Sequence, residues 1–205
     1  MKNPITILVS LFLTGCTVMG IRSSEEAPYS LLSESDNIQI RQYQPVLMAE
    51  TVIEANYEDS GGIGFKRLAG YIFGGNVQKQ KMAMTAPVLR EAVSENIAMT
   101  APVLQQKMGN QWLMAFVMPS GYTLETLPTP LDNKIIIKQV PAKKVAVLRY
   151  SGSINEERIA ENSQILLEWL AQNHYKLLSA SRSAAFDPPW TLPFLRRNEV
   201  HVDVE

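Results

Sequence analysis

The chain has 205 residues, 46% of them hydrophobic and 19% charged, with a formal net charge of −1. That is one medium domain with enough apolar material for its own core, and a near-neutral chain without a basic stripe argues against nucleic acid as a partner. Two histidines, His174 and His201, and a single cysteine, Cys16, argue against a zinc site or a Cys/His catalytic pair.

The N-terminus reads as a targeting segment. Lys2 precedes an apolar run over residues 5–13, too short to cross a bilayer and suited to a signal peptide. The run ends in Leu13-Thr14-Gly15-Cys16, which resembles the bacterial lipobox. That resemblance implies removal of residues 1–15 and acylation of Cys16 by diacylglycerol and a further palmitate-type chain, which together anchor stably. Thr17 follows in place of an inner-membrane retention aspartate, so the expected location is the outer membrane, facing the periplasm. The alternatives are the inner membrane, or an ordinary secretory signal with an incidental cysteine. Residues 16–35 are polar, lack apolar periodicity and read as a tether.

The domain is expected over residues 36–205, in halves of about 36–120 and 133–205. Residues 38–43 alternate as a strand, Pro45 interrupts, and residues 46–53 continue extended. Gly61-Gly62 reads as a break before a helix with Phe65, Leu68, Ala69 and Ile72 on one face, stopped by Gly74-Gly75-Asn76. Ala83-Met84-Thr85-Ala86-Pro87-Val88-Leu89 then recurs unchanged at Ala98-Met99-Thr100-Ala101-Pro102-Val103-Leu104. The two copies read as a hairpin whose prolines place it at a sheet edge or a bulge. Residues 111–117 are apolar on both faces and read as a central strand.

After a Pro-rich connection over residues 122–130 the pattern restarts. Residues 135–141 repeat residues 38–43 at an offset of 97, residues 144–150 match the second extended run, and a helix over about 156–173 buries Ile159, Leu166, Trp169 and Leu170. A final strand covers 199–204. Each half reads β-α-β-β, and the fold class is α+β with two helices on mostly antiparallel strands.

Lys81-Met82-Ala83-Met84-Thr85-Ala86-Pro87-Val88, Tyr150-Ser151-Gly152 and Asp187-Pro188-Pro189-Trp190 with Arg196-Arg197-Asn198-Glu199-Val200 resemble the signatures of the SOUL haem-binding family. The resemblance implies a distorted antiparallel barrel of two pseudo-symmetric repeats, with haem or another tetrapyrrole as ligand. In that family basic side chains on the first helix and in the Pro-Pro loop hold the propionates; here Ile63, Tyr71 and Thr191 stand at those places.

No nucleophile elbow, Walker loop or dinucleotide fingerprint occurs, which argues against an enzyme. An apolar groove between the halves is the expected site. Its candidates are Met82, Met84, Met99, Tyr71 and Trp190 for the ring, Lys66 and Arg67 for carboxylates, and His174 for iron. The alternatives are core packing for the methionines and aromatics, a solvated helix face for the cations, and a helix-end role for His174. A monomer binding a hydrophobic small molecule is expected. The rival reading is a binding module for another amphipathic ligand or a partner protein, without haem.

Overall fold

A computed structural model describes residues 24–79 and 94–205. Strands β1 (Tyr29–Ser35), β2 (Ile38–Tyr43) and β3 (Val46–Ile53) precede helix α1 (Tyr57–Ile72), and β4 (Asn76–Val77), β5 (Val103–Met108) and β6 (Gln111–Val117) follow it. The second half holds β7 (Thr129–Pro130), β8 (Ile135–Val140), β9 (Lys143–Tyr150), helix α2 (Glu156–Gln172), β10 (Arg182–Ala185) and β11 (Asn198–Val204).

The main sheet is antiparallel in the order β1-β2-β9-β11-β10-β5-β6-β3-β8. Leaving out β1, this order reads the same from both ends once β2 is matched with β8, β3 with β9, β5 with β10 and β6 with β11. The pseudo-two-fold therefore passes between β5 and β10, and the fold is an α+β distorted barrel of two repeats. Each repeat is β-β-α-β-β rather than β-α-β-β. The two extended runs before each helix are separate strands, and they pair across the halves: β2 with β9, and β3 with β8. Pro45 and Pro141 stand at the corners where the chain changes sheet position.

Alternation gives each strand an outer and an inner face. The outer faces carry the two helices. Leu47, Ala49, Met114 and Phe116 pack with Leu68 and Ile72 of α1, and Ile40, Ala146, Leu148 and Val202 pack with Leu166 and Leu170 of α2.

Helix α1 begins earlier than the glycine pair suggests. Asn56 caps it, accepting from the Asp59 amide at 2.8 Å, and Gly61 and Gly62 lie inside the helix. Gly64 lets α1 approach the sheet, because a Cβ there would stand 2.9 Å from Ile53 Cδ1 and 3.0 Å from Met114 Sδ. The stop is at Gly74, whose φ of 106° suits glycine.

Two expectations change at the edges of the repeats. Tyr29–Ser35, read as tether, is a strand paired with β2. Both its faces meet solvent, so its sequence carries no burial period. The second Met-Thr-Ala-Pro copy leads into β5, an interior strand between β10 and β6, with Pro102 just ahead of the first strand residue, where a missing donor is tolerated. The first copy lies outside the described residues, as does the signal segment.

Candidate functional site

The inner faces of the two repeats oppose each other across a groove with unlike walls. The first repeat and β8 supply apolar residues: Met48, Leu104, Ala115, Val117 and Val140. The second repeat and β2 supply Arg41, Glu199, His201, Lys143, Arg182 and Asp203. At the waist the walls meet around Ala27, Met48, Leu104 and Val117, leaving about 30 Å³. The expected single open groove is thus closed in the middle and open at both ends.

The first end is a cleft of about 390 Å³ lined by Glu25, Glu26, Val46, Met118, Tyr122 and Leu124. Glu25 accepts from the Ser120 amide at 2.9 Å, and these hydrogen bonds hold its carboxyl below the usual range. Both oxygens of Glu26 accept from Arg197 Nη1, at 2.9 and 3.0 Å. The second end is a cleft of about 440 Å³ with Met48, Leu104, Leu113, Ala115 and Val140 on one side, the pair of Lys138 and Glu50 beside Met48 on that same side, and Lys143, Arg182 and Asp203 on the other. Three cations face two carboxylates there. Lys138 pairs with Glu50 at 2.9 Å, and Asp203 is shared by Lys143 at 2.7 Å and Arg182 at 2.6 Å. Burial, helped by the Arg182 charge, pulls the Lys143 ammonium below its ordinary value despite its Asp203 partner.

Beneath the charged wall lies a closed network. Arg41 and Glu199 are both 0% exposed and form a bidentate pair at 2.9 Å each. Arg41 also donates to Gln39 and Tyr43, while Arg197 donates to Glu199 at 2.8 Å. Burial works to raise the Glu199 carboxyl's pKa, but hydrogen bonds from His201 and Arg41 and the charge of Arg41 outweigh it and hold the group far below the usual carboxylate range. Burial pushes the His201 imidazole below its ordinary value, against the pull of Glu199. A neutral ring with its proton on Nε2, donating to Glu199 at 2.7 Å, satisfies both groups.

The residues singled out in the sequence do not meet in this groove. Lys66 is exposed on α1. Arg67 is tied to Thr51, Val52 and Asp132. Tyr71 is 1% exposed in the core under α1, its hydroxyl donating to the Pro128 carbonyl at 2.8 Å, and Met99 packs against the same cluster. His174 is exposed just after α2, with a φ of 58°. Trp190 is 63% exposed on the Pro-Pro loop. Met82, Met84 and Cys16 lie outside the described residues. Ile63 is exposed and Thr191 buried, so the first helix and the Pro-Pro loop present no cation pair at the places the resemblance implied.

What the strand pattern left unread is the charged wall. Residues 198–204 alternate Asn-Glu-Val-His-Val-Asp-Val, and residues 38–41 read Ile-Gln-Ile-Arg. Such alternation is the signature of a solvent-facing side as much as of a buried polar one.

Two repeats closing on a pair of clefts form an α+β barrel whose open ends fall within the roughly 300–1,000 Å³ range of small-molecule sites. Residues 24–203 match the family model of the SOUL heme-binding protein, and the chain belongs to that family. No curated protein matches the sequence. Among solved structures, the EcmrR C-terminal domain is similar at a TM-score of 0.55 and 15% identity, covering 86% of this chain and 98% of that one. A hydrolase from Listeria innocua is similar at a TM-score of 0.53 and 8% identity, covering 85% and 94%. At these identities the likeness is one of fold.

Proposed function

We propose that the protein is a tetrapyrrole carrier of the bacterial cell envelope, holding haem or a related porphyrin reversibly in the 440 Å³ cleft. The observation that carries this is the unlike pair of walls at that end. A flat apolar ring bearing carboxylates needs an oily face and a nearby excess of cations, and the cleft sets Met48, Leu104 and Ala115 with Lys138 beside Met48 and with Lys143 and Arg182 across from them. The other cleft carries Glu25, Glu26 and Glu125 in its lining and suits propionates less well. The haem group itself would bring iron chemistry. The chain's part is to bury the ring, hold its carboxylates and keep water from one face. The only imidazole lining the groove among the described residues is that of His201, 3% exposed and committed to Glu199, so the hold rests on ring and carboxylates.

Titration of the purified protein with haemin and with metal-free protoporphyrin IX tests the reading. Both should saturate, and Lys138→Glu, at a partly exposed position, should weaken binding roughly threefold to tenfold. Absence of saturable binding, or binding indifferent to Lys138→Glu, would refute it.

The envelope placement rests on Lys2, the short apolar run and the single cysteine at the lipobox position. No helix among the described residues is long and apolar enough to cross a membrane. Acylation at Cys16 would supply the attachment, so Cys16→Ser should move the folded protein to the soluble envelope fraction, as read by fractionation and immunoblot. Retention in the membrane would contradict the anchor.

A further inference from the structure

The loop between β10 and β11 displays three large apolar side chains to solvent. Trp190, Leu192 and Phe194 are 63%, 42% and 70% exposed, and residues 188–195 carry no charge. Isolated exposed apolar residues are ordinary, but three within five positions form a patch.

Part of the loop's backbone closes on itself. Pro188, Pro189 and Pro193 have no amide proton. Thr191 donates its amide to Pro188, Leu195 to Leu192, and Arg196 to Pro193, at 2.9–3.1 Å. The Arg196 side chain, instead of reaching solvent, donates to the carbonyls of Thr191 at 2.7 Å and Pro189 at 2.5 Å. At the root, the Asp187 carboxylate accepts from the Arg197 amide, and the Arg197 guanidinium lies 3.8 Å from the centre of the Phe186 ring. The result is a braced apolar knuckle backed by two arginines.

Trp with neighbouring aromatic and aliphatic residues favours the boundary of a bilayer with cations just behind, and backbone bonds closed within a loop lower the cost of entering it. The geometry points to a lipid surface as the partner of this knuckle: Trp190, Leu192 and Phe194 insert into the headgroup region of the membrane to which the chain is attached. The reach agrees. Arg197 at the loop root holds Glu26, and Glu25 is nine residues from Cys16, a span of at most about 32 Å. This last step rests on the anchored reading; the chemistry of the loop does not.

The test uses the chain from residue 16 onward with Cys16→Ser, which removes the acyl attachment and keeps every described residue. With vesicles of phosphatidylethanolamine and phosphatidylglycerol it should float in a density gradient, and brominated lipid should quench part of its tryptophan emission. Adding Trp190→Ser and Phe194→Ser should lower the partition at least tenfold, with melting temperature and protoporphyrin binding unchanged. Failure to float, or equal flotation of the double variant, overturns the proposal. So does emission from Trp190 that vesicles leave unchanged. An unacylated Cys16 in protein isolated from cell membranes would overturn the anchor alone, and flotation of the Cys16→Ser chain would still support the loop's role.

Discussion

Glu199 is the residue on which the charged wall turns. Its two oxygens receive Arg41, Arg197 and His201 in a site without water access, and removing the charge would leave Arg41 buried without its counter-ion. Glu199→Gln should therefore cost about 3–5 kcal/mol in chemical denaturation, because a broken buried pair leaves an uncompensated charge. The double variant Arg41→Met/Glu199→Leu should lose less than the single one, since the two ions leave together. The pH dependence has a definite sign. Glu199 and Asp203 titrate below the ordinary carboxylate values of roughly 4 when folded, so the unfolded chain binds more protons as the pH falls. His201 is held below its ordinary value of about 6.5, which adds the same sign earlier. Stability should be full at neutral pH, decline below about pH 6.5 and fall more steeply below about pH 4.5. Urea denaturation at a series of pH values reads this, and Glu199→Gln should flatten the steeper part. A wild-type curve level down to pH 4 would contradict the assignment.

Helix α1 shows how far local pattern reaches at the scale of an element. The i, i+3, i+4, i+7 spacing of Phe65, Leu68, Ala69 and Ile72 locates the helix, and the offset of 97 locates its partner α2. In α1, Leu68 and Ile72 are buried with Ser60, Gly64 and Tyr71, while Phe65 is exposed at the edge of that face. The first two turns were hidden by Gly61 and Gly62, each costing roughly 0.5–1 kcal/mol in a helix. The Asn56 cap and packing under Gly64 override that cost. Gly61→Ala and Gly62→Ala meet nothing within 4 Å and should each stabilise by about 0.5–1 kcal/mol. Gly64→Ala should destabilise by about 1–3 kcal/mol as Ile53 and Met114 are forced apart. Thermal melts of the three variants check both signs. The strands were legible as strands, but their partners were not. Alternation in residues 38–43 and 135–140 says which face is apolar, and nothing in it says that β2 crosses to β9 or β3 to β8. The charged wall was unreadable for the same reason: Gln39, Arg41, Glu199 and His201 look like a wet face until the opposite repeat covers them.

For the whole molecule, the consequence of that crossing is a groove with one wall from each kind of surface, and the two walls set what can bind. On the proposed reading, dispersion and hydrophobic contact along Met48, Leu104, Leu113 and Ala115 hold a porphyrin, together with attraction of its carboxylates to a cleft with one cation in excess. His201 contributes no bond to a metal while it donates to Glu199, and withdrawing it would leave a buried carboxylate with one donor fewer. Affinity should accordingly be insensitive to the metal. Haemin and metal-free protoporphyrin IX should bind within about threefold of each other, whereas a porphyrin with esterified carboxylates should bind roughly tenfold more weakly. Raising the ionic strength should weaken the two acids and leave the ester unaffected, because only the former use screened charge. Fluorescence quenching and absorbance titrations at two salt concentrations measure all three. A haemin affinity a hundredfold above that of the free base would mean that a side chain reaches the iron, and would move the site away from this cleft.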